Sequence, residues 1–411
     1  MLKVVVVGRS DSIGGAAVVS RRLTEALRRL DVRAGMLVLE KKTSLPYVVE
    51  ARYPLRKQAA FLAERAQIFL HNGFSRKNLW KVDTAAFGLP IWEHPMVIEA
   101  DAVILNWVNQ GMLSLDGIGK MCPPGKKVIW TMHDMWNLTG ICHHAMECRR
   151  FEQQCGKCPF LNSRSDNDLS RSAWLKKQKL YSDTDIHFVA VSSWLARKAG
   201  ESSLMKNHEI TVIPNPFEPV PDITAAPPRH RILFAAASLD NWIKGLSVFR
   251  ESIRIFKERY PDIAGYAEVV LMGAVKNPET IGNFALPTEY TGVISGDEQL
   301  AKIFAACDVI VNSSHFENLP GTLIEGQAYG AVPVAFDRGG QRDIITDGEN
   351  GILVEWNDVE TERASRLADG IAAALRLIHT DPDAVRTRMR HSVSRFSYSA
   401  IAARYLDILN R

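Results

Sequence analysis

The chain has 411 residues, of which 46% are apolar and 23% charged, and it carries a formal net charge of +4. This length exceeds one compact core and predicts two domains, and the small net charge argues against a nucleic-acid partner. The opening apolar run is too short for a signal peptide, and no stretch approaches the length of a membrane span. We therefore expect a cytoplasmic protein with reduced thiols.

The first predicted elements are a buried strand, a glycine-bearing loop and a helix. Lys3 to Val7 is continuously apolar, which is typical of a parallel sheet that is covered on both faces. The loop ends in Gly14 and Gly15, and a helix is predicted for 16–30. The loop is similar to a nucleotide-binding turn but lacks the G-x-G-x-x-G spacing, so a nicotinamide cofactor is not indicated. A tight turn without a ligand is the alternative.

Residues 52–81 interleave basic side chains with large apolar and aromatic ones. Such a segment can lie on an anionic membrane surface, in this case the inner face of the cytoplasmic membrane. The alternative is a helix that packs on the core and leaves its lysines and arginines in solvent.

A later predicted strand is Lys127 to Thr131, and His133 lies just after its carboxyl end. A histidine at such a point can bind a ligand hydroxyl or carry a proton near neutral pH. A histidine packed within a loop is the alternative.

Four of the six cysteines fall within 142–158, at Cys142, Cys148, Cys155 and Cys158. The Cys155-x2-Cys158 spacing is a common half of a zinc site, and clustered thiols in a reducing compartment favour metal over disulfides. The sequence therefore predicts a structural zinc in an insertion at 140–160. Free or redox-active thiols and disulfides are the alternatives.

The second half begins after a proline-rich stretch, 214–230, which is predicted as the interdomain linker. A strand from Arg231 leads to a loop carrying Lys244. A further strand ends at Gly273, and Val293 follows the next one.

Residues 309–336 predict a strand, a loop, a helix and a second strand. The loop carries Glu317, and the helix begins near Gly321 and carries Glu325. Open α/β sheets bind ligands at this edge, and a helix N-terminus suits a phosphate. Two carboxylates beside a phosphate site would need to face hydroxyl groups, so the pattern indicates a sugar linked to a phosphate. An ordinary βαβ segment with solvated glutamates is the alternative.

Several motifs in order resemble those of family-4 retaining glycosyltransferases, bacterial exopolysaccharide and capsule enzymes among them. The motifs are Glu317-x7-Glu325, Gly330-Ala-Val-Pro-Val, Gly339-Gly340 and Asp347-Gly-Glu-Asn-Gly351. The resemblance covers 230–355 well and the first domain more loosely. It implies the GT-B fold, an α/β architecture of two facing Rossmann-like domains with parallel sheets and a cleft between them.

The resemblance also implies roles for individual residues. Glu317, His133 and Lys244 are the implied catalytic residues. Lys244 is also an implied donor-binding residue. The others are Gly14, Gly15, Gly273, Val293, Gly321, Thr322, Leu323 and Glu325. The donor would be a nucleotide diphosphate sugar, such as a UDP- or GDP-sugar, and the chemistry would require no metal. This chain departs from the family at Leu239, where arginine is usual, at Pro320 and at Asp343.

The resulting prediction is a retaining hexosyltransferase that acts on a hydroxyl acceptor, either a lipid-linked glycan or a cell-surface polysaccharide precursor. The predicted domains are 1–213 and 231–390, with 391–411 forming a helix that returns to the first domain. A sugar-nucleotide epimerase or hydrolase with the same fold is one alternative. A non-catalytic scaffold is another.

Overall fold

The computed structural model describes residues 1–223 and 229–411, and these form two compact units. The first unit comprises Met1–Pro216 and Tyr398–Arg411, and the second comprises Phe217–Ser397. The predicted linker contains Pro227-Pro228, a pair that lies outside the described residues. In this described part of the chain, no helix is both long and apolar enough to cross a bilayer.

The first unit is built on a seven-stranded parallel sheet in the order β3-β2-β1-β4-β5-β6-β7. Its strands are β1 Lys3–Ser10, β2 Arg33–Glu40, β3 Val48–Glu50, β4 Ala102–Leu105, β5 Lys127–Met132, β6 Ile186–Ala190 and β7 Ile210–Val212. Its helices in the first 216 residues are α1 Gly15–Arg28, α2 Pro54–His71, α3 Pro95–Ile98, α4 Leu115–Lys120, α5 Leu169–Asp183 and α6 Ser193–Glu201.

Strand β1 shows why this sheet is covered on both faces. Successive side chains of a strand point to opposite faces. Val5 and Val7 belong to one apolar core, and Val4 and Val6 belong to another on the opposite face. The continuous run of valines therefore supplies both cores, as expected for a parallel sheet.

The second unit has a six-stranded parallel sheet in the order β10-β9-β8-β11-β12-β13. Its strands are β8 Arg231–Ser238, β9 Glu268–Ala274, β10 Thr288–Gly292, β11 Val309–Asn312, β12 Val332–Phe336 and β13 Ile352–Val354. Its helices are α7 Leu246–Arg259, α8 Pro261–Ala264, α9 Asp297–Ala305, α10 Gly321–Ala328, α11 Glu360–Thr380 and α12 Pro382–Ser392. Val309 and Val311 face the core under α7 and α11, whereas Ile310 faces α10.

The last helix, α13 Tyr398–Asn410, packs against α1 of the first unit. Its Ile401 and Tyr405 are buried in the core on that face of the sheet. The Tyr405 hydroxyl shares a buried 2.8 Å hydrogen bond with the hydroxyl of Thr131 in β5. The chain therefore completes its first unit with its final residues.

Candidate functional site

In the second unit, two predicted side chains meet where the strand order reverses. Strands β8 and β11 are neighbours there, and Lys244 follows one while Glu317 follows the other. The Lys244 Nζ lies 2.7 Å from the Glu317 Oε2, and the Ser314 hydroxyl donates to the same oxygen at 3.2 Å. Ligands of open α/β sheets bind at this switch point.

Close contacts between the two loops hold Lys244 and Glu317 together. Gly245 has a φ of +72°, and a Cβ at this position would lie 2.1 Å from the Ser313 carbonyl oxygen. The Ser313 hydroxyl donates to the Gly245 carbonyl at 2.9 Å, and the His315 amide donates to the Ile243 carbonyl at 2.7 Å. Only glycine fits this approach without displacing the backbone.

Helix α10 begins next to this pair. No atom lies within 4 Å of where a Cβ would stand on Gly321, so the first turn borders open space. The first amide groups of a helix have no carbonyl partner within the helix. Thr322 is partly exposed, whereas the side chain of Leu323 is fully buried, so Leu323 offers a ligand only its backbone. Glu325 is half-buried on the same helix.

Gly273 and Val293 lie farther along the same edge of the sheet. Gly273 has a φ of +148°, and a Cβ there would meet the Ala236 carbonyl at 1.9 Å, so the end of β9 packs tightly on β8. The Tyr290 hydroxyl donates to the Gly273 carbonyl at 3.0 Å. Val293 is 69% exposed and follows β10.

Position 239, where the resembling family usually has an arginine, is part of the core in this protein. Leu239 is 1% exposed, and its amide donates to the Ala274 carbonyl. The neighbouring Asp240 carboxylate accepts a hydrogen bond from the Lys276 amide, which ties the loops after β8 and β9 together. A charged side chain at position 239 could not stay in this buried packing. In the loop after β8, the cation that lies beside Glu317 is Lys244.

In the first unit, Gly14 and Gly15 form an open turn at the start of α1. Gly14 has a φ of +89°, and nothing lies within 4 Å of a Cβ at either glycine. The backbone is therefore accessible to a ligand at this point.

His133 follows β5, and its Nε2 lies 2.6 Å from the Asn106 Oδ1 at the end of β4. An amide oxygen only accepts, so the Nε2 carries the proton in this hydrogen bond. Burial lowers the pKa of His133 to about 4, although the neighbouring Asp134 opposes this shift. A neutral, oriented imidazole results.

Sequence reasoning assigned no role to Asn106 or Asp134. Both occur where a buried strand ends, which is the signal that could have identified them. Asp134 accepts hydrogen bonds from the Trp107 indole at 3.2 Å and from a ring nitrogen of His143 at 2.8 Å. Asn106 thus bonds the His133 ring directly, and Asp134 links the segment that carries His133 to Trp107 and His143.

The clustered cysteines correct one prediction. They line one small pocket together with Phe151 and Phe160, and they are free thiols. Burial raises the pKa of Cys155 to about 11 and that of Cys158 to about 12. Within residues 1–223 and 229–411, no group of three or more His, Cys, Asp or Glu side chains could hold a metal ion. The zinc site predicted at Cys142, Cys148, Cys155 and Cys158 is therefore not supported, and these thiols act as small core residues.

Helix α2 within 52–81 has a buried face and an exposed apolar face. The buried face carries Ile68, which belongs to the core, and the charged side chains of Glu64 and Arg65. The opposite face carries the apolar stripe, which we define as Leu55, Ala59, Leu62, Ala66 and Leu70, all exposed. Their spacing of three and four residues places them along one side of the helix. The helix therefore combines features of both predicted alternatives, a segment on a membrane surface and a helix that packs on the core.

Comparison with known proteins gives the class to which this fold and site correspond. Residues 229–376 match the family model described as glycosyl transferases group 1. The chain is 29% identical over 190 residues to a D-inositol 3-phosphate glycosyltransferase of Paenarthrobacter aurescens, a match covering 44% of each. It is 34% identical over 110 residues to LpsE of Rhizobium meliloti, a lipopolysaccharide core biosynthesis glycosyltransferase, covering 26% of this chain and 29% of that protein. The chain spans less than half the length of these curated relatives.

The whole fold is similar to that of Anabaena HepE in complex with UDP-glucose, with a TM-score of 0.61 and 13% sequence identity over the full length of both chains. This confirms the predicted α/β fold of two Rossmann-like domains with parallel sheets. Together with the match over 229–376, it supports a glycosyltransferase of the GT-B class.

Proposed function

We propose that the protein is a retaining glycosyltransferase that moves a sugar from a nucleotide diphosphate sugar to a hydroxyl acceptor. The observation that carries this proposal is the contact between Lys244 and Glu317 at the switch point beside the start of α10. A cation and open amide groups suit a diphosphate, and a carboxylate suits sugar hydroxyls. All three lie within the segment that matches the glycosyltransferase family.

In this proposal Lys244 and the first turn of α10 stabilise the negative charge of the departing diphosphate. Glu317 binds hydroxyl groups of the donor sugar, and Glu325 binds those of the ribose. Gly273 and Val293 offer backbone groups to the nucleobase, and the donor of the resembling HepE structure, UDP-glucose, favours uracil.

We propose that His133 binds a hydroxyl group of the donor sugar, and that the open backbone at Gly14 and Gly15 binds the donor diphosphate and the acceptor. A neutral imidazole held at the end of β5 suits a hydrogen bond with a sugar hydroxyl. The bond between the anomeric carbon and the diphosphate oxygen breaks, and a bond from that carbon to the acceptor oxygen forms on the same face. The acceptor proton passes to the leaving phosphate oxygen, and the family resemblance implies that no metal is required for this step.

Calorimetric titration with UDP, GDP, dTDP and ADP tests the donor site. We expect one nucleotide, UDP first, to bind the wild-type protein, and its affinity to fall by about tenfold or more in Glu325→Ala, since a buried hydrogen bond to a charged group contributes about 1.5–3 kcal/mol. The matched control is Glu298→Ala, an exposed glutamate on α9 that is paired only along its own helix with Lys302. If no nucleotide binds, the scaffold alternative becomes the better interpretation, and donor turnover without an acceptor would favour the epimerase or hydrolase.

We further propose that the acceptor is a lipid-linked or polysaccharide-precursor glycan and that the apolar stripe contacts a membrane. The relation to LpsE supports a role in cell-surface glycan synthesis. Leu55 is 84% exposed, and Leu62 and Leu70 are each 54% exposed. Exposed cations flank the stripe and suit anionic head groups; they are Arg52, Arg56, Arg76, Lys77 and Lys81.

Vesicle flotation tests this contact. We expect Leu62→Asp to lower binding to anionic vesicles by about tenfold, because a leucine buried in the interface contributes roughly 1.5–3 kcal/mol. The control Leu175→Asp replaces a leucine of α5 that is 48% exposed. Equal binding by the wild type and both variants, or equal loss in both variants, would contradict a specific role for the stripe.

A further inference from the structure

We infer that His143 is a positioning residue: it holds the segment that carries His133 by bonding two carboxylates at once. This inference rests on the proposed function, since it assigns His133 to the reacting sugar. It also gives a role to the insertion at 140–160, in which the structure supports no metal site.

The geometry of the ring carries the inference. The His143 Nε2 lies 2.6 Å from the Asp83 Oδ2, and its Nδ1 lies 2.8 Å from the Asp134 Oδ2. Ionised carboxylates only accept hydrogen bonds, so both ring nitrogens must donate, and the ring is an imidazolium. His143 is 9% exposed and Asp83 is 1% exposed, so water competes little for these bonds.

Each carboxylate of this bridge has a second donor. Asp83 also accepts from the Arg65 guanidinium, and Asp134 accepts from the Trp107 indole. Burial opposes ionisation of Asp134, but His143 outweighs it and holds that pKa at about 2. Burial likewise disfavours the imidazolium, but Asp134 and Asp83 outweigh it and raise the pKa of His143 to about 10. The other titratable groups facing the bridge are Glu64 on α2, Lys177 on α5, and His133 and His144.

Backbone bonds show that the bridge joins three segments. The Met135 amide donates to the His143 carbonyl at 2.9 Å, and the His143 amide donates to the Lys81 carbonyl at 3.2 Å. The Trp136 indole donates to the Asp83 carbonyl at 2.7 Å. The imidazolium adds a side-chain link between Asp83 and Asp134, the residue directly after His133. Removing it leaves two buried carboxylates without their shared cation, so the turn after β5 loses its fixed orientation.

Imidazole rescue tests this role without depending on folding alone. We expect His143→Ala to lower kcat by up to about 100-fold, because small displacements of a catalytic group cost that much, with nucleotide affinity in the second unit unchanged. Added imidazole fills the vacated space and should restore a measurable part of kcat. His187→Ala is the matched control: His187 bonds Thr211 between β6 and β7, and neither its loss nor imidazole should change transfer.

An undiminished kcat in His143→Ala, or a loss that imidazole does not restore, would overturn the positioning role. A wild-type protein that binds no nucleotide would overturn the proposed function instead. If His143→Ala does not fold, nitrogen-15 NMR of histidine-labelled wild type decides. Two protonated ring nitrogens on His143 at neutral pH support the bridge, and one protonated nitrogen refutes it.

Discussion

Lys244 and Glu317 reach each other because neighbouring small residues let two loops touch. Gly245 adopts a positive φ, and a side chain there would overlap the Ser313 carbonyl. The Lys244–Glu317 pair is partly exposed, so its own contribution to stability is small, about 0–1 kcal/mol. The effect of the pair is to place a cation and a carboxylate next to each other at the edge of the sheet.

His133 gives a prediction at the same scale. Its pKa is lowered to about 4 in the folded protein, whereas an unfolded histidine titrates near 6.5. Between about pH 6.5 and 4 the unfolded chain binds a proton on this histidine, whereas the folded protein keeps the ring neutral. The stability that His133 contributes to folding is therefore present above about pH 6.5 and is lost as the pH falls toward 4. Urea unfolding should show the wild type losing more stability over this window than His133→Asn. Parallel losses in the two proteins would mean that the folded ring is charged.

At the scale of elements, α5 is attached to the cysteine-containing insertion through its N-cap. One Asp168 oxygen accepts hydrogen bonds from the amides of Ser170 and Arg171, and the other accepts from the Cys158 amide at 2.8 Å. Asp168 is buried, so each hydrogen bond lost here would leave an amide N–H with neither a protein acceptor nor water to replace it. This carboxylate links the insertion to the fold.

We therefore expect Asp168→Ala to lower the free energy of unfolding by more than about 2 kcal/mol, above the usual range for an N-cap. Asp381→Ala is the matched control, because Asp381 caps α12 in an exposed position with one bond to the Ala384 amide. That change should cost about 1 kcal/mol or less. Similar losses at both positions, measured by chemical denaturation, would argue against a special role for the Asp168 contacts.

At the scale of the whole molecule, the chain crosses between its units more than once. The first unit needs residues from both ends of the sequence, since α13 covers α1 and one face of the sheet. Ile401, Tyr405 and Ile408 are all buried there. All the nucleotide-binding residues proposed here except Gly14 and Gly15 belong to the second unit, Phe217–Ser397.

Deletion of 398–411 should therefore destabilise the first unit and spare nucleotide binding by the second. Calorimetric scanning is expected to show unfolding of the first unit at a lower temperature, while titration with the preferred nucleotide gives an unchanged affinity. Tyr405→Phe is the milder companion, with a loss of about 1 kcal/mol from one buried hydrogen bond. Loss of nucleotide binding in the truncated protein would contradict independent folding of the second unit.

The sequence by itself determined the alternation of strands and helices, because buried parallel strands such as Val4–Val7 and helix starts such as Gly321 have strong local patterns. It also indicated that Glu317 and Lys244 lie at strand ends, and parallel pairing then brings such ends to one edge. Their proposed roles remain predictions that the experiments above test.

Only the tertiary structure decided what depends on contacts between distant segments. Cysteine spacing predicted zinc, yet packing places the four thiols in an apolar pocket, and the described residues contain no group that could hold a metal ion. His143 directly follows Cys142 in the sequence, but its side chain bonds Asp83, 60 residues away, and Asp134, which make it a buried cation. Burial, charge pairing and pKa are properties of the surroundings of a side chain, and those surroundings come from parts of the chain that a local pattern does not include.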